Sequence, residues 1–298
     1  MAGVTGAATC VSAKKPMLPN RPKVLILGRG FIGTALASTL STGAADVVVF
    51  GRRECDLTDR ADALNKIGRC APDVIVMTAA ITRLKGNSLE TLLANVAMLQ
   101  NVLVACRGVG HFIFMSSVDV YGNQPVTPLT TSSALSPFDH YGASKYIGET
   151  LASHHFFASE TILSVLRLNG IFGPQDGGLS TISKMVGACL RDRKITINGT
   201  GKTHRDFCSV DDLVRVVRQL INRSVSGVLN VASGQSLTME QIALLIQAVL
   251  LPEAEVVHRD NGGAREYSLR FDQAEFYTAL PSFSFTPLRE ALLLYKSI

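Results

Sequence analysis

The sequence predicts an α/β fold, in which a doubly wound parallel sheet is followed by a smaller C-terminal lobe. The first observation behind this prediction is that short β-branched segments alternate with segments of helical periodicity from Lys23 onward, a pattern typical of repeated βαβ units. The second is that the chain of 298 residues is 47% hydrophobic and 18% charged. That apolar content is sufficient for one large domain with a small additional lobe.

The predicted elements follow from the spacing of apolar residues. Five apolar segments have the length of strands: Val24–Leu27, Asp46–Phe50, Val74–Met77, Phe112–Met115 and Ile162–Leu168. Four segments carry apolar residues at helical spacing: Gly33–Leu40, Ala61–Ile67, Leu89–Cys106 and Tyr141–Ala152. After Gly173-Pro174 the alternation loosens. The elements predicted there are a helix near Thr181–Leu190, a strand near Ile195–Ile197, a helix from Asp211-Asp212, a strand at Val228–Val231 and a helix capped by Ser236 or Thr238 that runs to Leu250.

We expect three regions along the chain: a disordered tail at residues 1–22, an α/β domain at residues 23–174, and a lobe at residues 175–298 with segments that return to the sheet. The tail is rich in Ala, Gly, Ser, Thr and Pro and lacks the order of a signal peptide. The longest apolar runs have only the length of strands, which predicts no membrane span.

Charge and cysteine content exclude several classes of function. The formal net charge of +5 is not gathered into a run of Lys and Arg, which disfavours nucleic-acid binding. The six cysteines are scattered without metal-ligand spacing, so we predict no metal site. They are expected to be free thiols in a reducing compartment, which favours a cytoplasmic location.

A glycine-rich segment, Gly28-Arg29-Gly30-Phe31-Ile32-Gly33, lies between a predicted strand and a predicted helix. In that context the pattern G-x-G-x-x-G indicates a Rossmann-type dinucleotide site. The three glycines let the backbone turn tightly and approach a pyrophosphate. Its charge is met by N–H groups at the helix N-terminus, which here include those of Phe31 and Ile32.

The end of the second strand bears on the choice between NAD and NADP. An NAD site normally has an acidic side chain there for the adenosine ribose hydroxyls, whereas a 2′-phosphate needs cations. The strand ends Phe50-Gly51-Arg52-Arg53, with no carboxylate. The sequence therefore favours NADP, with Arg52 or Arg53 as the phosphate partner. NAD stays possible, because both arginines can also be solvated loop charges.

The segment Tyr141-Gly142-Ala143-Ser144-Lys145 places a phenol and an ammonium one helical turn apart, so both can face the same pocket. A neighbouring Lys⁺ and a nicotinamide cation favour the phenolate form of Tyr141. Tyr141 is therefore a candidate acid for carbonyl reduction and a candidate base for alcohol oxidation. Ser117 follows the strand Phe112–Met115 and can donate a hydrogen bond to the reacting oxygen.

These motifs, in this order, resemble those of the extended short-chain dehydrogenase/reductases, and most closely those of the nucleotide-sugar epimerase/dehydratase group. They are the glycine loop, the segment Ser116-Ser117-Val118-Asp119-Val120-Tyr121-Gly122 and the Tyr-x-x-x-Lys pair. Two later segments agree: Leu166-Arg167-Leu168-Asn169-Gly170-Ile171-Phe172-Gly173-Pro174 and Arg205-Asp206-Phe207-Cys208-Ser209-Val210-Asp211-Asp212. The resemblance covers about residues 23 to 250.

The resemblance implies roles for particular residues. Ser117, Tyr141 and Lys145 would be the catalytic triad, with Lys145 also bonding the nicotinamide ribose. Two pairs would lie against the cofactor: Asp56 and Leu57 beside the adenine, and Ala79 and Ala80 at the strand end beneath it. Arg205 would meet the diphosphate of the substrate. Asn169 lies one place before the family's usual asparagine and is the remaining candidate for a substrate contact.

Two departures from the family pattern bear on the reaction. Only residues 51–55 separate the end of the second strand from Asp56-Leu57, where epimerases usually have a helix and another strand. This shortened connection resembles the keto-sugar reductases, such as dTDP-4-dehydrorhamnose reductase and GDP-fucose synthase. Val118 and Asp119 stand where dehydratases pair an Asp with a Glu, which argues against dehydration.

The leading functional hypothesis is the reduction of the keto group of a nucleotide-linked sugar by NADPH, with Tyr141 as proton donor. The alternatives are an epimerase that retains NAD, a carbonyl reductase for a substrate other than a sugar, and a redox sensor that binds NAD(P) without turnover. By analogy with such folds, we expect a homodimer formed through the two long helices Leu89–Cys106 and Tyr141–Phe157.

Overall fold

The computed structural model describes residues 18–43, 45–124, 127–260, 262 and 267–297. The strands within these residues are β1 (Lys23–Leu27), β2 (Asp46–Phe50), β3 (Val74–Met77), β4 (His111–Ser117), β5 (Ile162–Leu168), β6 (Ile171–Phe172), β7 (Lys194–Asn198), β8 (His204–Arg205), β9 (Cys208–Ser209), β10 (Gly227–Val231), β11 (Leu237–Thr238) and β12 (Glu255–Arg259). The helices are α1 (Phe31–Ser41), α2 (Arg60–Cys70), α3 (Leu89–Ala105), α4 (His140–Phe156), α5 (Thr181–Asp192), α6 (Val210–Arg223), α7 (Met239–Leu250), α8 (Ala274–Ala279) and α9 (Leu288–Leu293). A short 3-10 helix, Val118–Tyr121, follows β4.

Six parallel strands form the central sheet, in the order β10-β5-β4-β3-β1-β2. The chain leaves β1 toward β2 on one side and returns to β3 on the other, so the direction of winding reverses between β1 and β3. The predicted doubly wound sheet is confirmed. In such sheets, ligands bind outside the carboxyl ends of the strands at the reversal point.

Alternate residues of β1 pack into two separate hydrophobic cores, one on each face of the sheet. Val24 and Ile26 pack with side chains of α1 and α6, whereas Leu25 and Leu27 pack with side chains of α2, α3 and α4. This follows from the two-residue period of a strand. Because both faces are covered, most residues of these strands are apolar.

The predicted strands and helices are all present, with shifted ends. β4 extends two residues beyond its predicted end, so Ser117 is the last residue of the strand. Thr238, rather than Ser236, caps α7, since its side chain accepts a hydrogen bond from the Gln241 N–H and the Gln241 side chain accepts one from the Thr238 N–H. β12, which no apolar run in the sequence indicated, pairs in parallel with β7.

A further cluster of apolar side chains lies in the C-terminal region, where α5, α7 and α9 pack with β7. α6 and β10 return from this region to the large sheet. The division into a domain at residues 23–174 and a lobe at residues 175–298 stays a prediction. Of the predicted tail, residues 1–17 lie outside the described residues, and Leu18 packs against the core beside α1 and α6.

None of the helices in the described residues combines the length and the apolar character needed to span a membrane. Within the same residues the cysteines are free thiols: Cys55, Cys70, Cys106, Cys189 and Cys208.

Candidate active site

The glycine loop brings the start of α1 close to the ends of β1 and β3. Gly28 has a φ of +117°, and a Cβ there would lie 2.6 Å from Thr78 Oγ1 and 2.8 Å from the Ala79 backbone nitrogen. A Cβ on Gly33 would lie 1.9 Å from the Gly28 carbonyl oxygen. Any side chain at either position would therefore separate the helix from the sheet. Ala79 and Ala80 follow β3 and are half-buried at this reversal point.

The N-terminus of α1 carries no capping side chain. Its N-cap residue is Gly30, and a Cβ built there meets no atom within 4 Å. Other helices of the described residues are capped by side chains: Asp59, Ser88, Asp139, Ser180, Ser209 and Thr238. The absence of a capping side chain and the open space at Gly30 suit the pyrophosphate of a dinucleotide, which could accept from the first N–H groups of α1, including those of Phe31 and Ile32.

At the end of β2 the structure places a cation and a carboxylate whose roles no sequence motif indicated. Arg29 donates hydrogen bonds to the Val49 carbonyl oxygen (3.1 Å) and to Glu54 Oε1 (3.3 Å). The other Glu54 oxygen accepts from the Gly51 N–H (2.8 Å). The carboxyl end of β2 has no carboxylate of its own, yet Glu54 turns back to that end.

Hydrogen bonds from backbone N–H groups lower the pKa of Glu54, which keeps it ionised. Both predicted phosphate partners, Arg52 and Arg53, are exposed next to this strand end. The Arg52 Nε atom lies 3.9 Å from Asp56 Oδ2. Three arginines and one glutamate therefore surround the place where a dinucleotide fold recognises the adenosine ribose.

The loop that carries Asp56 and Leu57 is tied to two helices. The Asp56 N–H donates to Asp62 Oδ2 of α2 (2.8 Å). Leu57 is buried, and its carbonyl oxygen accepts a hydrogen bond from Asn101 Nδ2 of α3 (2.9 Å). Contact of this pair with an adenine stays a prediction.

The three predicted catalytic residues come together at the carboxyl edge of the sheet. Ser117 ends β4, while Tyr141 and Lys145 lie one turn apart at the start of α4. The Lys145 Nζ atom lies 5.7 Å from the centroid of the Tyr141 ring and donates to the Met115 carbonyl oxygen (2.7 Å). Gly142 lets the start of α4 pack closely against the 3-10 helix, because a Cβ there would lie 2.7 Å from the Asp119 carbonyl oxygen.

Burial shifts both ionisable groups toward their neutral forms. Burial lowers the pKa of Lys145 to about 8, and the Glu149 carboxylate opposes this shift. Burial also raises the pKa of Tyr141 above its usual value; Asp119 adds to the rise and Arg83 opposes it. At neutral pH, Lys145 is therefore mostly cationic and Tyr141 carries its proton, as an acid must.

Ser117 is engaged by Asp119. The Ser117 Oγ atom donates a hydrogen bond to Asp119 Oδ2 (2.9 Å), and the Asp119 N–H donates back to Ser117 Oγ (3.2 Å). The serine side chain is buried, and its hydroxyl is held by Asp119 in this structure.

Arg83 is a further charged residue of this site, and no motif indicated it. Its Nη2 atom lies 2.5 Å from Asp119 Oδ2, and its Nε atom lies 2.8 Å from Asp139 Oδ2. Its guanidinium carbon lies 5.9 Å from the centroid of the Tyr141 ring. Only the folding of the loop after β3 brings it there.

The two predicted substrate contacts lie in different surroundings. The Arg205 guanidinium lies over the Tyr267 ring, at 4.7 Å, and Nη1 donates to the carbonyl oxygens of His204 and Tyr267. Asn169 is buried, and its Nδ2 atom donates to the Asp206 carbonyl oxygen (2.8 Å). Both roles stay predictions.

Comparisons with known proteins agree with this geometry. The chain is 27% identical to the dTDP-4-dehydro-6-deoxy-D-allose reductase of a Streptomyces species, over 76% of this chain and 81% of that protein. It is 26% identical to an uncharacterised UDP-glucose epimerase of Bacillus subtilis (strain 168), over 59% of this chain and 58% of that protein. The chain thus spans little more than half the length of this second relative.

A solved structure, that of the NAD-dependent NDP-hexosamine 5,6-dehydratase TunA, superimposes with a TM-score of 0.80. The two chains are 25% identical, and the match covers 93% of this chain and 99% of the other. A reductase, an epimerase and a dehydratase are therefore all similar to this chain, so similarity alone does not select the reaction.

The model of one family matches residues 24–232, which include the glycine loop, Ser117, Tyr141, Lys145 and Arg205. The match spans the sheet and the site described above. The chain belongs to the NAD-dependent epimerase/dehydratase family.

Proposed function

We propose that this protein reduces the keto group of a nucleotide-linked sugar with NADPH, and that Tyr141 donates the proton. The observation that carries the proposal is the grouping of Ser117, Tyr141 and Lys145 at the same sheet edge as the uncapped start of α1. The direct test is loss of NADPH absorbance when nucleotide-linked 4-keto sugars are added.

The residues of the site suit each part of this reaction. A dinucleotide held at the glycine loop would supply the hydride that the keto carbon needs. The Tyr141 hydroxyl gives its proton to the keto oxygen, so that the carbonyl becomes an alcohol and the tyrosine becomes a phenolate. The Lys145 ammonium, 5.7 Å from the Tyr141 ring, stabilises that phenolate. The Ser117 hydroxyl orients the oxygen once it turns from Asp119.

The choice of a reductase is supported by the short connection after β2 and by one relative. β2 is the last strand at its end of the described sheet, and only residues 51–55 separate it from Asp56. That shortened connection resembles the keto-sugar reductases. The Streptomyces relative bears the name of a reductase as well.

We further propose that Arg205 meets the diphosphate of the substrate and that Asn169 supports the same region.

One observation favours the alternative of an epimerase that retains NAD. The Glu54 carboxylate lies at the end of β2, where an acidic side chain binds the ribose hydroxyls of NAD. Release of NAD from the purified and denatured protein would support the epimerase. Protein that purifies without nucleotide and consumes added NADPH would support the reductase.

Arg29 should contribute to the preference for NADP together with Arg52 and Arg53. We expect Arg29→Met to weaken NADPH binding by roughly ten- to a hundredfold, because a charged hydrogen bond to phosphate is lost, and to change NADH binding far less. Glu54→Gln should strengthen NADPH binding by removing a like charge. Calorimetric titration of both cofactors measures the ratio.

The matched control for this cofactor prediction is Arg69→Met. Arg69 is exposed in the last turn of α2. The neighbouring residue, Cys70, accepts a hydrogen bond from Lys23 at the amino end of β1, which is the end away from the glycine loop. Its substitution should leave both affinities at the values of the unsubstituted protein. Equal losses for NADPH and NADH in Arg29→Met would contradict a role in discriminating the phosphate.

We also propose that the protein is a homodimer formed through α3 and α4, since both helices expose apolar side chains: Leu89, Leu93, Tyr146 and Ile147. An isologous contact would bury these side chains in pairs. We expect Leu93→Asp to give a monomer by sedimentation velocity. Leu244→Asp, at an exposed leucine of α7, should leave the dimer intact. A monomeric wild type would reject this assembly.

A further inference from the structure

Arg83 joins two acidic residues from different elements. Asp119 belongs to the 3-10 helix after β4, and Asp139 caps α4, where its Oδ1 atom accepts from the Gly142 N–H (2.7 Å). Arg83 lies between them in the loop after β3, with contacts of 2.5 and 2.8 Å. Both carboxylates are less exposed than the arginine. A single cation therefore compensates two partly buried negative charges.

The same cation lies over the proposed proton donor. Its guanidinium carbon is 5.9 Å from the centroid of the Tyr141 ring, and the Lys145 Nζ atom is 5.7 Å from that centroid. The charged groups acting on the Tyr141 site are the cations of Arg83 and Lys145 and the carboxylates of Asp119 and Asp139. Tyr267, from the C-terminal segment, also interacts with Arg83, Asp119 and Asp139.

Proton donation turns Tyr141 into an anion, so the surrounding charges decide how readily it gives up the proton. Without Arg83, two carboxylates would face the new phenolate, and Lys145 would be the remaining cation of this site among the described residues. Burial increases the strength of these interactions, since solvent screens them less.

We propose that Arg83 is a positioning residue that neutralises Asp119 and Asp139 and thereby allows Tyr141 to release its proton. The inference rests on the proposed role of Tyr141 in proton transfer. It adds a residue from outside the Ser-Tyr-Lys set, and it assigns to the two carboxylates an opposing effect on the phenol. Arg83 acts through Asp119, Asp139 and Tyr141 and need not touch the substrate.

The test follows the ionisation of Tyr141 in the complex with oxidised cofactor. The chain has no tryptophan, so tyrosinate absorbance is measured without interference from indole. The difference between each background and the same background with Tyr141→Phe isolates this one phenol. The backgrounds are the unsubstituted protein, Arg83→Met, Arg83→Lys, Asp119→Asn and the double variant Arg83→Met/Asp119→Asn.

We expect Arg83→Met to raise the pH at which tyrosinate absorbance appears by roughly one to two units. Asp119→Asn should move it downward, and the double variant should fall between the two. Arg83→Lys keeps one charge and should be shifted less than Arg83→Met. The rise with pH of alcohol oxidation, which needs the phenolate, should move in the same directions. Arg107→Met, at an exposed residue after α3, is the matched control and should change neither curve.

Superimposed curves for the unsubstituted protein and Arg83→Met would overturn the inference, as would a shift of equal size in Arg107→Met. If Arg83→Met fails to fold, the inference is tested with Arg83→Lys and Asp119→Asn. It requires the pH of tyrosinate formation to rise in Arg83→Lys and to fall in Asp119→Asn. Calorimetry separates this outcome from failure of the proposed function. Absence of cofactor binding rejects the function itself, whereas binding and turnover with unshifted curves reject only the role of Arg83.

Discussion

Turnover is expected to fall by about 10²- to 10⁴-fold in Tyr141→Phe, the range that loss of a positioned proton donor produces. This substitution removes only the phenol hydroxyl and keeps the ring with its neighbours Lys145 and Arg83. Binding of NADPH should stay close to that of the unsubstituted protein, because the glycine loop is untouched. Stopped-flow absorbance of NADPH measures turnover, and calorimetry measures binding.

Tyr277→Phe is the matched control, since Tyr277 lies in α8, outside the catalytic set and the proposed dimer contact, and is exposed. It makes the same chemical change and should keep full turnover. Equal activity of Tyr141→Phe and Tyr277→Phe would remove Tyr141 from the mechanism and favour a different acid.

The second large effect concerns the stability of the fold beneath the site. Arg167 of β5 and Glu149 of α4 are both buried, and their ion pair has hydrogen bonds of 2.8 to 3.3 Å. Arg167 also donates to the Tyr121 hydroxyl (2.8 Å), and Ser116 donates to Glu149 (2.5 Å). We expect Arg167→Met to lower the free energy of unfolding by about 3 to 5 kcal/mol, because Glu149 is left buried without its cation.

An exposed pair of the same residue types provides the control. Arg193 and Glu253 lie 3.1 Å apart with more than half of each side chain exposed. Arg193→Met should cost about 0 to 1 kcal/mol. The double variant Arg167→Met/Glu149→Met should recover part of the loss of Arg167→Met, since no unpaired charge remains. Urea unfolding measures all three variants. Equal midpoints for Arg167→Met and Arg193→Met would contradict this account.

Local patterns in the sequence were enough to predict the sheet and its covering helices. The strands are buried on both faces, so their apolar runs stand out, and the helices between them have clear periodicity. β12 was missed because its pairing with β7 joins segments about 60 residues apart. Its sequence, Glu-Val-Val-His-Arg, has charged ends and no run long enough to indicate a strand.

In the site, too, residues within local motifs could be predicted from the sequence, whereas residues placed by the folding of distant loops could not. Ser117, Tyr141 and Lys145 were found from motifs, since each lies at a strand end or within one helical turn. Arg83 and Glu54 were not, because their roles depend on where two loops fold. Arg83 reaches Asp119 and Asp139 across 36 and 56 positions. Glu54 returns to Gly51 only through the turn after β2.

The central claim is tested most directly by following NADPH absorbance while a panel of nucleotide-linked 4-keto sugars is added to the purified protein and to Tyr141→Phe. The account predicts that the unsubstituted protein consumes NADPH with at least one of these sugars and that Tyr141→Phe, although it binds NADPH, does so at least about a hundredfold more slowly. Binding of NADPH without consumption by any 4-keto sugar would contradict the reductase proposal and favour the epimerase or the sensor, and absence of binding to either NADPH or NADH would contradict the dinucleotide site itself.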